Sequence, residues 1–260
     1  MAPDTFTFDC FRLDGKKAFV TGGATGIGRA IALGLAAAGA DVAITYRSHE
    51  PEATLAAIEA AGVRATAIRA DFETFDEAAA EDLVQAVIGR LGSLDILVNN
   101  AGLIHRKDAE DFAFPDWRRV LAVDLDAVWL MAQAAGRYML GQGSGRIVNV
   151  ASVLSFEGGV QVPAYAASKH AVVGLTRALA NEWSARGANV NAIAPGYTAT
   201  DNTKPLRDDP VRSKQLLARI PAGRIGDPAE MAGAVVFLAS DAASYCHGTI
   251  VAVDGGWLAR

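Results

Sequence analysis

Ala18-Phe19-Val20-Thr21-Gly22-Gly23-Ala24-Thr25-Gly26-Ile27-Gly28 is the stretch whose reading decides the fold, together with the helical pattern that follows from Arg29 to Ala38. An apolar run ends in a glycine turn, and the turn opens an amphipathic helix. Strand, glycine turn and helix form the first unit of a dinucleotide-binding fold. Glycine lets the backbone turn tightly and approach a pyrophosphate closely. The helix start offers unpaired N–H groups and the positive end of its dipole to the same anion. Many turns contain three glycines; the strand before and the helix after turn this one into a nucleotide loop.

Outward from this unit, apolar strands alternate with amphipathic helical stretches. Strands are expected near 17–21, 41–46, 64–69, 95–99, 146–151, 188–193 and 249–253. Helices are expected near 26–39, 51–61, 76–91, 116–140, 164–186 and 228–239. Such alternation gives an α/β fold, a doubly wound parallel seven-stranded sheet with helices on both faces. No repeat, low-complexity tract or Gly/Ser linker interrupts the chain, so residues 1–260 read as one domain. The least regular stretch, 197–222, mixes polar residues with three prolines and a short helix near 211–219. A loop of this length in a compact domain is expected to act as a lid.

A chain of 260 residues suits one α/β domain with a large core. A net charge of −5 argues against a nucleic-acid partner, which needs a dense basic surface. Cys10 and Cys246 lie far apart, and no secretory pattern opens the sequence, so reduced thiols in a cytoplasmic protein are expected. No uncharged apolar run reaches the roughly 18 residues of a membrane span. The four histidines are scattered without metal-ligand spacing, so no protein-bound metal is expected.

Tyr165 and Lys169 stand one helical turn apart in Tyr165-Ala166-Ala167-Ser168-Lys169, with Ser152 thirteen residues upstream of Tyr165. The three supply a proton donor and acceptor, a cation and a hydroxyl. A free tyrosine titrates near ~10, and a neighbouring ammonium is expected to lower that value. A Tyr–Lys pair at this spacing also fits an ordinary solvated helix face. The glycine loop at the other end of the chain favours a site. Ser155 competes with Ser152 for the hydroxyl role, and the spacing favours Ser152.

At these residues the chain resembles the short-chain dehydrogenase/reductase family over nearly its whole length. The glycine motif falls on Gly22, Gly26 and Gly28, with Thr25 and Ile27 between or beside them. The Asn-Asn-Ala-Gly motif is Asn99-Asn100-Ala101-Gly102, and the Pro-Gly pair is Pro195-Gly196, followed by Thr198. The family's Ser, Tyr and Lys fall on Ser152, Tyr165 and Lys169. The resemblance implies a nicotinamide-dependent oxidoreductase with a single Rossmann domain, commonly a homotetramer. Within the family the likeness is strongest to dehydrogenases of 2-dehydro-3-deoxygluconate and 2-deoxygluconate. It is carried by NNAGLIHRKDA (99–109), NVNAIAPGYTATDN (189–202), RIPAGRIG (219–226) and AVDGGWLAR (252–260).

The resemblance implies that Tyr165 moves a proton, Ser152 holds the substrate oxygen, and Lys169 also binds the nicotinamide ribose. Asp71, with Phe72 beside it, matches the acid that meets the adenine ring. Asp124 stands where the family usually has an Asn that helps hold a water near the Lys, which puts this fourth catalytic position in question. NAD sites usually carry an acid at the end of the second strand. Here that position is Tyr46, followed by Arg47 and Ser48, and Arg47 suits a 2′-phosphate. NADP is therefore favoured, with NAD use also expected. Arg106 suits a sugar-acid carboxylate. Gln161, Asn202, Trp257 and His105 are further candidates for the pocket wall.

The expected reaction is hydride transfer between nicotinamide and a carbonyl or secondary alcohol of a keto-deoxy sugar acid, sugar or polyol. A 3-oxoacyl carrier-protein reductase is a second enzyme reading. It needs a basic landing patch, for which Lys204, Arg207, Arg212 and Lys214 are candidates diluted by Asp201, Asp208 and Asp209. A nucleotide-sensing regulator is a third reading, but it would have no need of Ser152, Tyr165 and Lys169 together.

Overall fold

The computed structural model describes residues 7–260. Seven strands form the sheet: β1 Lys17–Val20, β2 Asp41–Tyr46, β3 Ala65–Arg69, β4 Ile96–Asn99, β5 Gly145–Val150, β6 Ala188–Pro195 and β7 Ile250–Val253. Their order is β3-β2-β1-β4-β5-β6-β7, and every neighbouring pair is parallel. The helices are α1 Gly26–Ala37, α2 Glu52–Glu59, α3 Glu77–Leu91, α4 Phe114–Leu121, α5 Ala127–Gln142, α6 Pro163–Trp183, α7 Lys204–Asp208, α8 Pro210–Arg219 and α9 Glu230–Ala239.

Alternation along each strand sends successive side chains to opposite faces. Phe19, Leu97 and Ile147 point into one core with α3, α5 and the end of α6. Val20, Ile44 and Val98 point into the other with α1 and α9. Both faces are covered, so the central strands are buried on both sides and mostly apolar, and all eight residues of β6 are buried. A buried polar chain ties the middle of the sheet to α6. Asn99 Nδ2 donates to Asn149 Oδ1 at 2.9 Å, Asn149 Nδ2 donates to Thr176 Oγ1 at 2.9 Å, and Thr176 Oγ1 donates to Val172 O at 2.7 Å.

The strands and main helices fall where the sequence pattern puts them, within a few residues. Two departures bear on function. The stretch expected as one helix over 116–140 runs from Phe114 to Gln142, with a π-helical turn at Ala122–Asp126. Such turns insert one residue, and here the widened turn carries Asp124. The irregular stretch contains two helices rather than one. Pro205 and Pro210 each open a helix, and Asp209 caps α8 by accepting from Val211 N and Arg212 N.

The strand order reverses between β1 and β4. The connection from β1 leads away through β2 and β3, and β4 then begins the other half of the sheet. Loops leaving the carboxyl ends of these two strands diverge, which opens a crevice there.

The α5–α6 contact depends on a missing side chain. A Cβ at Gly136 would lie 2.6 Å from the Trp183 ring. Gly136→Ala should therefore destabilise the fold by about 1–3 kcal/mol through overpacking, against a helix-propensity gain of at most ~1 kcal/mol. Urea denaturation measures the balance. An unchanged midpoint would mean that Trp183 yields freely.

Candidate active site

The crevice is a cleft of ≈ 430 Å³, within the range of small-molecule sites. Its floor is the glycine loop. Gly22 and Gly26 have φ of +66° and +55°, which L side chains rarely adopt. A Cβ at Gly28 would meet the Gly22 carbonyl oxygen at 2.2 Å, so this position must be glycine for the helix to approach the loop. The loop is held from both sides. Gly22 N donates to Thr45 Oγ1 at 2.8 Å, and the Asn100 amide donates to Thr21 O at 2.9 Å and Gly22 O at 3.1 Å. Thr21 Oγ1 in turn accepts from Asn100 N and Ala101 N at 2.9 and 3.0 Å. Thr25 gives α1 no side-chain cap, so its first N–H groups remain directed into the cleft. This cradle fits a dinucleotide pyrophosphate.

Gly22, Thr25, Gly26, Ile27, Gly28, Tyr46, Arg47, Ser48, Asp71, Phe72, Ala101, Gly102, Tyr165, Lys169 and Asn202 all line the cleft, as the sequence pattern implies. Asn99 does not. Its buried side chain bonds Asn149 beneath the cleft, and Asn100 lines the cleft instead. Pro195, Gly196 and Thr198 lie under the rim. Gly196 packs on Asp254, and Thr198 Oγ1 donates to Gly196 O at 3.1 Å. At the far end, Arg47 Nη1 pairs with Glu73 Oε1 at 2.6 Å. Asp71 Oδ1 caps the short 3₁₀ turn Phe72–Thr74 by accepting from Glu73 N at 3.0 Å.

Tyr165, Lys169, Ser152 and Asp124 meet at the near end. Ser152 Oγ accepts from Leu154 N at 3.1 Å, and its hydroxyl acts on the neighbouring Tyr165 to lower its pKa. Ser155 is occupied elsewhere. Its hydroxyl donates to Lys169 O at 2.7 Å and accepts from Ser152 N at 3.2 Å, so it fixes the backbone rather than facing the cleft. Lys169 Nζ donates to Val150 O at 2.8 Å and lies 5.5 Å from the Tyr165 ring centre.

The electrostatics reverse one expectation. Burial and then the Asp124 carboxylate push the Tyr165 hydroxyl above its ordinary value, outweighing Ser152 and Arg106, which lower it. The phenol is thus firmly protonated in this state. Asp124 is fully buried, and Oδ1 accepts from Leu103 N at 2.7 Å while Oδ2 has no hydrogen-bond partner. Burial raises its pKa to about 6 against the pull of Lys169 and the Leu103 N–H. Burial lowers the Lys169 pKa, and Asp124 opposes that. The family resemblance leaves Asp124 open; the structure brings its carboxyl into the same buried charge cluster as Lys169 and Tyr165.

Arg106 extends from the loop after β4, donates to Asn202 O at 3.0 Å, and carries its charge close to Tyr165 and Tyr197. Among the described residues no carboxylate forms an ion pair with Arg106 or with Arg212 of α8. Both guanidinium groups lower the pKa of Tyr197, which burial raises. Tyr197 is not foreseen in the sequence, and Arg212 is foreseen only as part of a basic patch; no spacing rule connects a post-β6 tyrosine with an α8 arginine. Two expected wall residues sit elsewhere. Trp257 is buried under Arg219, whose guanidinium lies 3.9 Å from its ring, and its Nε1 donates to Glu157 Oε2 at 3.0 Å. It clamps the end of α8 rather than lining the cleft. Gln161 is exposed, has φ of +64°, and donates from Nε2 to Asp108 Oδ1 at 2.7 Å, bracing the rim. His105 packs edge-on against Phe112 and lies 3.5 Å from Asp116.

The sequence profile of the family described as Enoyl-(Acyl carrier protein) reductase matches residues 22–258. A 2-dehydro-3-deoxy-D-gluconate 5-dehydrogenase of Bacillus subtilis (strain 168) is 51% identical over 98% of this chain and 99% of its own length. A crystal structure from Agrobacterium tumefaciens, provisionally assigned as a 2-deoxy-D-gluconate 3-dehydrogenase with bound NADP, superposes with a TM-score of 0.90. It is 53% identical and covers 96% of this chain and 99% of its own. A Beutenbergia cavernae structure, provisionally assigned as an NAD(P)-dependent gluconate 5-dehydrogenase with bound NADP, superposes with a TM-score of 0.92. It is 52% identical over the same shares.

The charge cluster makes a pH prediction. An ionised Asp124 opposes formation of the Tyr165 phenolate. Alcohol oxidation requires the phenolate form, so its rate rises with pH through the Tyr165 titration. Asp124→Asn removes the repulsion and keeps an oxygen to accept from Leu103 N. The variant should retain turnover, with the rising limb of its pH profile moved to lower pH. Oxidation rates over pH 6–10 read this directly; a large loss of turnover at unchanged thermal stability would instead give Asp124 its own chemical role.

Proposed function

The chain belongs to the short-chain dehydrogenase/reductase family and is an NAD(P)-dependent oxidoreductase of CH–OH groups; we propose that its substrate is a keto-deoxy sugar acid or a closely related sugar or polyol. One observation carries this reading: a partly buried arginine with no carboxylate partner among the described residues, Arg106, carries its charge close to Tyr165 and bonds the backbone of Asn202, both of which line the cleft that begins at the glycine loop. A planar guanidinium in that position suits a substrate carboxylate. The names of the similar enzymes from Bacillus subtilis and Agrobacterium tumefaciens support the same substrate class.

The nicotinamide, when bound, supplies or accepts the hydride and adds positive charge in its oxidised form. The protein's share is proton transfer and position. In reduction Tyr165 donates its hydroxyl proton to the substrate carbonyl oxygen, and the raised pKa keeps that proton in place at neutral pH. Ser152 donates a hydrogen bond to the same oxygen and stabilises its developing charge. In oxidation the Tyr165 phenolate takes the alcohol proton. Lys169 balances that phenolate within the buried cluster and holds ribose hydroxyls. Gly22, Gly26 and Gly28 hold the pyrophosphate, Asp71 and Phe72 the adenine, and Arg47 a 2′-phosphate, which favours NADP while leaving NAD usable. The stretch 197–222 acts as a lid over the substrate, with Asn202 and Arg212 on its inner side.

The carrier-protein reading finds less support. Lys204 pairs with Asp208, Asp209 is spent capping α8, and Arg207 donates to Thr200 O at 3.1 Å. Two of the four basic candidates are thus engaged within the segment itself. We infer a cytoplasmic homotetramer. Cys10 and Cys246 are free, no helix among the described residues is long and apolar enough to cross a membrane, and Trp129 leaves apolar surface exposed on α5.

A panel of sugar acids, neutral sugars, polyols and acyl thioesters with both cofactors tests the proposal. Turnover concentrated on sugar acids is expected, and turnover confined to acyl thioesters would overturn it. Within that panel, Tyr165→Phe should lower kcat by ~10²–10⁴ while cofactor affinity holds; activity within a few-fold of the parent would remove Tyr165 from the chemistry. Arg106→Met should reduce kcat/KM for sugar acids more than for matched neutral sugars. Equal losses would leave Arg106 as a loop residue.

A further inference from the structure

We propose that Glu73 sets the balance between the two nicotinamide cofactors by holding Arg47 in a competing ion pair. The proposal rests on the reading of Arg47 as the 2′-phosphate ligand. β2 ends at Tyr46 and β3 at Arg69, and these two residues are partners in the sheet register. Just beyond, Arg47 enters the lining of the cleft, and Arg69 Nε steadies it by donating to Arg47 O at 3.2 Å. Glu73 is steadied independently, because Asp71 Oδ1 accepts from its backbone N–H. Two anchored backbones thus present opposite charges to each other, and Arg47 Nη1 meets Glu73 Oε1 at 2.6 Å.

No acid occupies the end of β2, so Glu73 is the carboxylate that reaches this corner from the neighbouring strand's loop. It has two opposed consequences. NAD carries no charge at its ribose 2′ position, so it can bind with the Arg47–Glu73 pair intact. NADP carries a phosphate there, which must draw the guanidinium away from Glu73 and then sit near an uncompensated carboxylate. Glu73 therefore taxes NADP selectively, and the pair explains on physical grounds how a site with a cationic 2′ corner keeps NAD usable. The pair is exposed on the arginine side, at 56%, and 29% exposed on the glutamate side. Solvent screening at that exposure limits the effect to modest factors.

The test is a double-mutant cycle on the intact protein, reading Kd for NADPH and NADH by nicotinamide fluorescence, with no substrate present. Glu73→Gln should tighten NADPH binding by about two- to fivefold, the scale expected of a screened pair, and leave NADH binding unchanged. Arg47→Ala should weaken NADPH selectively, and in that background Glu73→Gln should no longer matter, because its effect acts through Arg47. The NADPH gain should shrink as salt rises. Weaker NADH binding by Glu73→Gln would make Glu73 a ribose ligand and overturn the proposal. Selective weakening of NADPH by Arg47→Ala alone, with Glu73→Gln silent, would overturn it while sparing the Arg47 reading. Equal losses for both cofactors in Arg47→Ala would end that reading and the proposal together.

Discussion

The reversal of strand order between β1 and β4 is the constraint on which the rest of the molecule depends. Parallel strands require crossovers, and crossovers cover both faces of the sheet with helices. Where the direction of winding changes, the loops above two adjacent strands part and leave room for a ligand. The glycine loop stands on one side of that gap and Asn100 on the other, and the Asn100 amide bonded to Thr21 O and Gly22 O spans it. The buried chain from Asn99 through Asn149 to Thr176 then carries the registration of β4 and β5 into α6. Tyr165 and Lys169 ride on that helix, so their place above the cleft is inherited from the sheet.

Burial governs the chemistry of the site more than any single charge does. Tyr165, Lys169 and Asp124 are packed together at the cleft's near end, and each is shifted first by burial and only then by its neighbours. In such a place the neutral forms are favoured unless charges compensate one another. The simple picture of an ammonium lowering a phenol is therefore incomplete for this protein before cofactor binds. Lys169 gives its proton-bearing nitrogen to Val150 O, and the Asp124 carboxylate pulls the Tyr165 titration the other way. A positive nicotinamide in the cleft would rebalance this cluster toward phenolate, coupling cofactor redox state to proton transfer.

The substrate end is organised differently. Its parts come from the loop after β4, the segment after β6, α8 and the carboxyl terminus. Trp257 joins them by stacking on Arg219 and Tyr197 while donating to Glu157. The chain's last residues thus fix the end of α8 against the segment after β6. Arg219 and Glu157 satisfy each other, and Arg106 and Arg212 are left without carboxylate partners.

The sequence by itself determined the parallel α/β sheet, the nucleotide cradle, and the Ser152, Tyr165 and Lys169 constellation. The sheet and the cradle follow from short-range rules: alternation in strands, helical periodicity and glycine turns. Tyr165 and Lys169 stand one turn apart on one helix, and Ser152 joins them through the family resemblance. It also pointed to Arg47 as a candidate for a 2′-phosphate and to Arg106 as a candidate for a carboxylate. Only the tertiary structure decided that Asn99 lies beneath the cleft, that Trp257 clamps a lid, and that Ser155 holds a backbone carbonyl. It likewise brought Glu73 to Arg47 and widened the helix at Asp124. Such outcomes depend on which distant segments share a buried volume, and side-chain electrostatics are set by that volume and its exclusion of water. No local pattern encodes either quantity, because both arise only once the sheet has brought its loops together.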